Sequence, residues 1–271
     1  MKTSVVWADG TFESNTAPLM GSLEQCAVRA AELGFDGMSL TVNRPEELDP
    51  ARIHKIMGAC GLAVSGLATG RTYTVDGLGL GMAEAERRKA AVDRMLRHTE
   101  LCAELGGAKL IIGAVRGWIR DAGDRQRYEM LFRDSVETIL KRAQALQVKV
   151  VLEAISRMDS DACCSIEETA AFIRSFHSDA LQLQLDSIHL HTNGETEIYE
   201  KILRSADLLG QVDISDVGRK APDGKHFDFQ ELLKGLKDAR YQDYLVFEYQ
   251  ASPPEGAAKA GLDYIRALLT A

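Results

Sequence analysis

Four acidic residues end or interrupt short apolar runs: Glu153 after Val150-Val151-Leu152, Asp186 after Leu183-Gln184-Leu185, Asp213 between Val212 and Ile214, and Glu248 after Leu245-Val246-Phe247. They stand 33, 27 and 35 residues apart. Successive units of a 250-residue barrel built from eight strand-helix pairs are spaced by about 31 residues. A carboxylate at the end of an apolar strand is costly unless its charge is compensated, and acids that converge on one point repel one another. A hard divalent cation satisfies all four. Oxygen-rich ligation favours Mg²⁺ or Mn²⁺, and a nearby histidine widens the range to Co²⁺ or Zn²⁺. Singly, each acid could be a helix cap or a surface carboxylate. The shared period is what points to one metal site made by Glu153, Asp186, Asp213 and Glu248.

The neighbours of these acids are donors. His189 lies three residues after Asp186, Arg157 four after Glu153, and Arg219 six after Asp213, before the turn Pro222-Asp223-Gly224. Imidazole and guanidinium groups polarise carbonyls and hold hydroxyl oxygens.

Acids at this spacing need strands to carry them, and short β-branched runs alternate with amphipathic stretches along the whole chain. The expected strands are Ser4–Ala8, Gly37–Leu40, Leu62–Ala68, Lys109–Gly113, Val148–Leu152, Leu181–Leu185, Val212–Ile214 and Tyr244–Phe247. Between them, helices are expected from Ser22 to Gly34, from Asp49-Pro50 to Gly61, over Ala83–Leu105 and Arg125–Leu146, after Ser165, and over Glu197–Leu209, Phe229–Ala239 and Glu255–Leu269. Ser22, Asp49 and Ser165 are natural N-caps, with a glutamine or glutamate three residues after each serine. This reads as a single (β/α)₈ TIM barrel over residues 1–271 rather than an open doubly wound sheet, because no GxGxxG turn follows the first strand. The run Gly77-Leu78-Gly79-Leu80-Gly81 fits neither a dinucleotide nor a Walker pattern and is expected as a mobile loop over the barrel mouth.

Composition narrows the partners. The 271 residues carry a net charge of −8, with 45% hydrophobic and 27% charged residues. Such a balance suits one large soluble core and supplies no basic excess for nucleic acid. Five cysteines without regular spacing argue against a disulfide framework, and Cys163-Cys164 reads as a pair of loop thiols. With no long apolar leader or membrane span, the expected location is cytoplasmic.

The order Glu-x-x-x-Arg, Asp-x-x-His, a strand-seven ligand with an arginine six residues later, and a final strand-eight glutamate resembles the xylose isomerase-like barrel superfamily. The resemblance is strongest to its sugar isomerases and to ketose 3-epimerases of the tagatose/psicose type. It implies that Glu153 and Glu248 are metal ligands and also the acid and base on opposite faces of the substrate, with Asp186 a pure ligand. It further implies that His189 and Arg219 bind substrate oxygens, with homodimers or homotetramers as possible assemblies. Asp213 departs from the pattern, standing where the family usually has histidine in Val-His-x-x-Asp; hydroxypyruvate isomerases are similar in tolerating a non-histidine ligand there.

The expected reaction is proton abstraction beside the carbonyl of a small sugar or keto-acid through a metal-bound cis-enediolate, giving epimerisation or isomerisation. A dehydratase or lyase acting on an inosose or dehydroshikimate, and a non-catalytic sugar-binding barrel, are the alternatives. The superfamily's DNA endonucleases need a histidine-rich site and a basic surface, which six histidines and this net charge do not supply. Trp7, Phe12, Arg71, Tyr73, Arg116 and Trp118 lie on or after strands one, three and four and could face substrate or pack beneath loops. Trp7 ranks first as a substrate contact, since an aromatic at a strand end suits the apolar face of a sugar.

Overall fold

The computed structural model describes residues 1–10, 16–250 and 254–270. Eight parallel strands form the barrel: β1 Lys2–Ala8, β2 Gly37–Thr41, β3 Ala63–Ala68, β4 Lys109–Ile112, β5 Val150–Glu153, β6 Leu181–Asp186, β7 Leu209–Ile214 and β8 Tyr244–Phe247. Each pairs with its successor, and β1 pairs with β8 over Lys2↔Tyr244 to Val5↔Phe247, which closes the sheet. Leu19–Met20 adds a two-residue parallel pairing to the end of β1.

The helices that follow the eight strands in turn are α1 Leu23–Leu33, α2 Pro50–Ala59, α3 Ala85–Glu104, α4 Arg125–Ala145, α5 Ile166–Arg174, α6 Ile198–Arg204, α7 Phe229–Asp238 and α8 Pro254–Thr270. Side chains of Ser22, Asp49, Asp124, Ser165 and Asp228 accept backbone N–H groups where five of these begin, removing orphan donors that would otherwise oppose each start. Among the described residues no helix is long and apolar enough to cross a membrane.

Most of the apolar core lies between the strands and the helices. Phe35 meets Phe247 edge-on at 5.3 Å, and Tyr128, Phe132 and Phe172 stack in series at 5.6 and 5.1 Å. The barrel interior is smaller and more polar. Ser4 on β1 and Ser65 on β3 share a 2.7 Å hydrogen bond although β2 separates their strands, so they meet inside the barrel. Lys109 on β4 reaches across to the Gly210 carbonyl on β7 at 2.6 Å and pairs with Asp243 at 2.6 Å. Burial pulls the Lys109 ammonium below its usual range, with the Asp243 charge opposing.

Two expectations change and one stands. The sixth helix ends at Arg204 rather than Leu209, because Leu208 N–H turns back to the Ser205 carbonyl and Leu209 already pairs with Leu183 as the first residue of β7. Cys163 and Cys164 stand in a loop as free thiols, as expected, and both are buried. The glycine run 77–81 is pinned: Leu80 N–H donates to the Val115 carbonyl, Gly81 N–H to that of Arg116, and Leu80 is wholly buried. Its glycines permit ring contacts. A Cβ on Gly81 would come within 2.2 Å of Tyr128, so Gly81→Ala should lower stability by about 1–3 kcal/mol in urea titrations; an unchanged midpoint would show that the ring yields.

Candidate metal and substrate site

Glu153 ends β5, Asp186 ends β6, Asp213 is the penultimate residue of β7, and Glu248 follows β8 directly. Parallel pairing sets Asp186 beside Asp213, and the Glu248 N–H donates to the Ile214 carbonyl at 3.1 Å. The strand ladder therefore carries all four acids to one side of the mouth. Oxygens of Glu153, Asp213 and Glu248 lie within 4.8 Å of one another, and so do donor atoms of Glu153, Asp186 and His189. Gly113, just beyond β4, leaves the room: a Cβ there would sit 2.5 Å from Glu153 Oε2.

Two cations enter the cluster from flanking loops. Asp186 caps the short helix Ser187–Thr192, its Oδ1 accepting the Ile188 N–H at 3.0 Å. That helix swings His189 back over the strand ends, its Nε2 lying 3.4 Å from Glu153 Oε1 and 3.6 Å from Asp186 Oδ2. After β7, Asp216 and Lys220 form an antiparallel bridge around a tight turn in which Gly218 has φ +76° and Arg219 φ +55°. A left-handed arginine costs of order 1 kcal/mol. The turn holds it there, because the Arg219 carbonyl accepts Gln250 N–H at 2.7 Å. The Arg219 guanidinium then bridges Asp186 Oδ2 at 2.9 Å and Glu248 Oε2 at 3.1 Å.

Two buried amides complete the floor. Gln184 on β6 donates to Asp213 Oδ2 at 2.9 Å, and Gln211 on β7 donates to Asp213 Oδ1 at 2.8 Å.

The electrostatics split the acids. Burial alone would raise Glu153, but His189, with Arg116 and Arg219, outweighs it and holds the carboxyl below its ordinary range. Burial would lower His189, and the charges of Asp186 and Glu153 reverse this and raise it. Burial, together with Glu248, Asp186 and Glu153, pushes Asp213 well above the carboxylate range. Burial also drives Glu248 up to about 7, with Asp186 and Glu153 adding to the rise and Arg219 opposing it. Counted as fully ionised, four carboxylates against Arg219 and a protonated His189 carry two excess negative charges; without an ion the site sheds that charge by raising Asp213 and Glu248, and one divalent ion would balance it instead. The donors are carboxylate oxygens and one imidazole, so the cluster could hold such an ion.

The cluster forms one end of a cavity of about 730 Å³, also lined by Thr41, Thr69, Arg71, Ser156 and Gln250, a volume suited to a small organic ligand. Glu153, His189, Asp213, Arg219 and Glu248 all line it. Other expected contacts do not. Trp7 belongs to the core outside the barrel, its indole N–H donating to the Gly21 carbonyl at 3.0 Å, because Val6 and Ala8 occupy the opposite face of β1 and pack with Val246. Arg157 is exposed; the loop after β5 turns there, and its backbone N–H donates to Asn193. Arg116 is fully buried with its guanidinium spread over the carbonyls of Ile112, Gly113, Glu153, Ala162 and Cys163. It braces the loops rather than the cavity. Tyr73 donates to Asp121, and Trp118 stacks against Arg120; Phe12 lies outside the described residues.

A family model described as a xylose isomerase-like TIM barrel matches residues 27–268. The chain is 26% identical over 249 residues to an L-ribulose 3-epimerase of Mesorhizobium japonicum, covering 90% of this chain and 79% of the relative. It is 27% identical over 253 residues to a 3-dehydro-D-guloside 4-epimerase of Escherichia coli, covering 87% and 90%. Among solved structures, a 3-keto-D-glucoside 4-epimerase from Escherichia coli superposes with a TM-score of 0.81 at 22% identity, covering 98% of this chain and 100% of that one.

Glu248 titrates at about 7 in the fold against an ordinary 4.5. Its contribution to stability is therefore complete below about pH 4.5 and is lost as the pH climbs through 7. In chelator-treated protein the melting temperature should fall between about pH 5 and pH 8, and Glu248→Gln should reduce that slope; an unaltered slope would refute the assignment.

Proposed function

The chain belongs to the xylose isomerase-like TIM barrel family, and on that premise we propose that it is a divalent-metal-dependent sugar epimerase. Its proposed substrate is a small ketose or related keto-sugar. The observation that carries this reading is a pair of donor groups that share Glu153, one with Asp186 and His189 and one with Asp213 and Glu248, beside a ligand-sized cavity lined by Glu153, His189, Asp213 and Glu248. The relatives' names support the chemistry. A ribulose 3-epimerase and a 3-dehydro-guloside 4-epimerase both invert a carbon next to a ketone, where the proton is acidified by the carbonyl.

Glu153, Asp186, Asp213 and Glu248 would hold the ion, and their oxygen donors favour Mg²⁺ or Mn²⁺. When bound, it supplies Lewis-acid polarisation of the substrate carbonyl. Glu153 and Glu248 come from strand ends three positions apart around the barrel, and in this reading a substrate seated between them would be met on different faces. In the ion-free fold their environments already differ, Glu153 being held below its ordinary range and Glu248 raised to about 7, and a pair of carboxyls set apart in this way suits a base and an acid. Inversion follows when one glutamate takes the proton and the other returns a different one; the reverse reaction exchanges their roles. His189 and Arg219 would donate to the enediolate oxygens and stabilise their charge.

The test is exchange in D₂O. With Mn²⁺ or Mg²⁺ present, L-ribulose, D-psicose or a 3-keto-glycoside should gain one deuteron at the inverted carbon, seen by proton NMR. Glu153→Gln and Glu248→Gln should each lower turnover by roughly 10²–10⁴-fold. No exchange into any of these sugars would contradict the reading, and loss of water without exchange would favour dehydration instead.

A further inference from the structure

Asp213 is gripped from beneath in a way that its neighbours are not. Each of its oxygens takes one amide N–H, Gln184 Nε2 on Oδ2 and Gln211 Nε2 on Oδ1, and Gln184 Nε2 also stands 3.4 Å from Glu153 Oε1. Both glutamines are at most 1% exposed. Among the described residues, neither Gln184 Oε1 nor Gln211 Oε1 has a hydrogen-bond partner. A buried amide oxygen without a donor is costly, so this arrangement does not serve the amides themselves. Flipping either one would turn its oxygen onto carboxylate oxygens and take its N–H groups away. Both amides keep their N–H groups on the Asp213 oxygens while, among the described residues, their own carbonyl oxygens go without a donor.

We propose that Gln184 and Gln211 are positioning residues, two amide clamps that hold the Asp213 carboxylate in the orientation that aims its remaining lone pairs at a cation shared with Glu153 and Glu248. A carboxylate oxygen has two lone-pair sites, so the amides occupy one on each oxygen and leave the others for the ion. A short aspartate among three other acids has competing ways to turn, and the clamps select one. This inference rests on the divalent-cation reading above.

A double-mutant cycle on the full-length, chelator-treated protein tests it, with Mn²⁺ affinity read by calorimetry and by the electron paramagnetic resonance signal of free Mn²⁺. Gln211→Met removes the donor at similar volume and should weaken Mn²⁺ binding by about tenfold or more, in the range of groups that orient metal ligands. In an Asp213→Ala background the same change should have no further effect. Gln184→Met should behave likewise and serves if Gln211→Met does not fold, judged by circular dichroism. Gln211→His, which keeps an N–H donor, should restore much of the affinity. Equal losses with and without Asp213, or a lowered melting temperature with unchanged affinity, would overturn the inference and leave the glutamines as packing. Wild-type protein that takes up no Mn²⁺ would overturn the cation reading itself, and this inference with it.

Discussion

Four carboxylates crowded into one largely buried place are the constraint to which the mouth of this barrel answers. Left alone they would protonate or move apart, since like charges in a low-dielectric site repel strongly. The fold supplies partial compensation from three directions. Arg219 enters from the turn after β7, His189 from the short helix after β6, and the Gln184 and Gln211 amides from below. None of these neutralises the cluster, and the residual charge is the electrostatic argument for a divalent ion. The same imbalance spreads the titration of Glu153 and Glu248 apart, holding one below its ordinary range and raising the other to about 7.

A closed parallel barrel is well suited to this task. Adjacent strands fix Asp186 beside Asp213 and Glu153 beside Gln184 through backbone pairing alone, so the acids do not have to attract one another to meet. The loops then act as separate inserts. The turn 216–220 stores a left-handed Arg219, and the buried Arg116 ties the carbonyls of Ile112, Gly113, Glu153 and the segment 162–163 together from behind. Stability is held elsewhere, in the apolar layer between strands and helices and in the Lys109 bridge across the lower barrel.

Much of this was legible in the residues, because strand-end acids recur at the barrel's own period. That period located Glu153, Asp186, Asp213 and Glu248, and short offsets located His189 and Arg219. What failed was direction. Trp7 sits at a strand end, but its place in the two-residue alternation of β1 sends it outward, and the partners that decide inward from outward are distant in sequence. Arg157 sits at a suitable offset, yet its loop turns to solvent. Leu80 and Gly81 anchor the glycine run through partners, Val115 and Arg116, that lie beyond any local pattern. Gln184 and Gln211 carried a readable signal: polar residues two before Asp186 and two before Asp213 share the faces of those acids.

The central claim is that these four strand-end acids form one cation site. Its most direct measurement is anomalous diffraction from crystals soaked in Mn²⁺. The account predicts a single strong peak at the barrel mouth, with oxygens of Glu153, Asp186, Asp213 and Glu248 at about 2.0–2.5 Å and the Arg219 guanidinium moved off the Asp186–Glu248 bridge. No peak there, or an ion held elsewhere while Arg219 keeps its bridge, would contradict it.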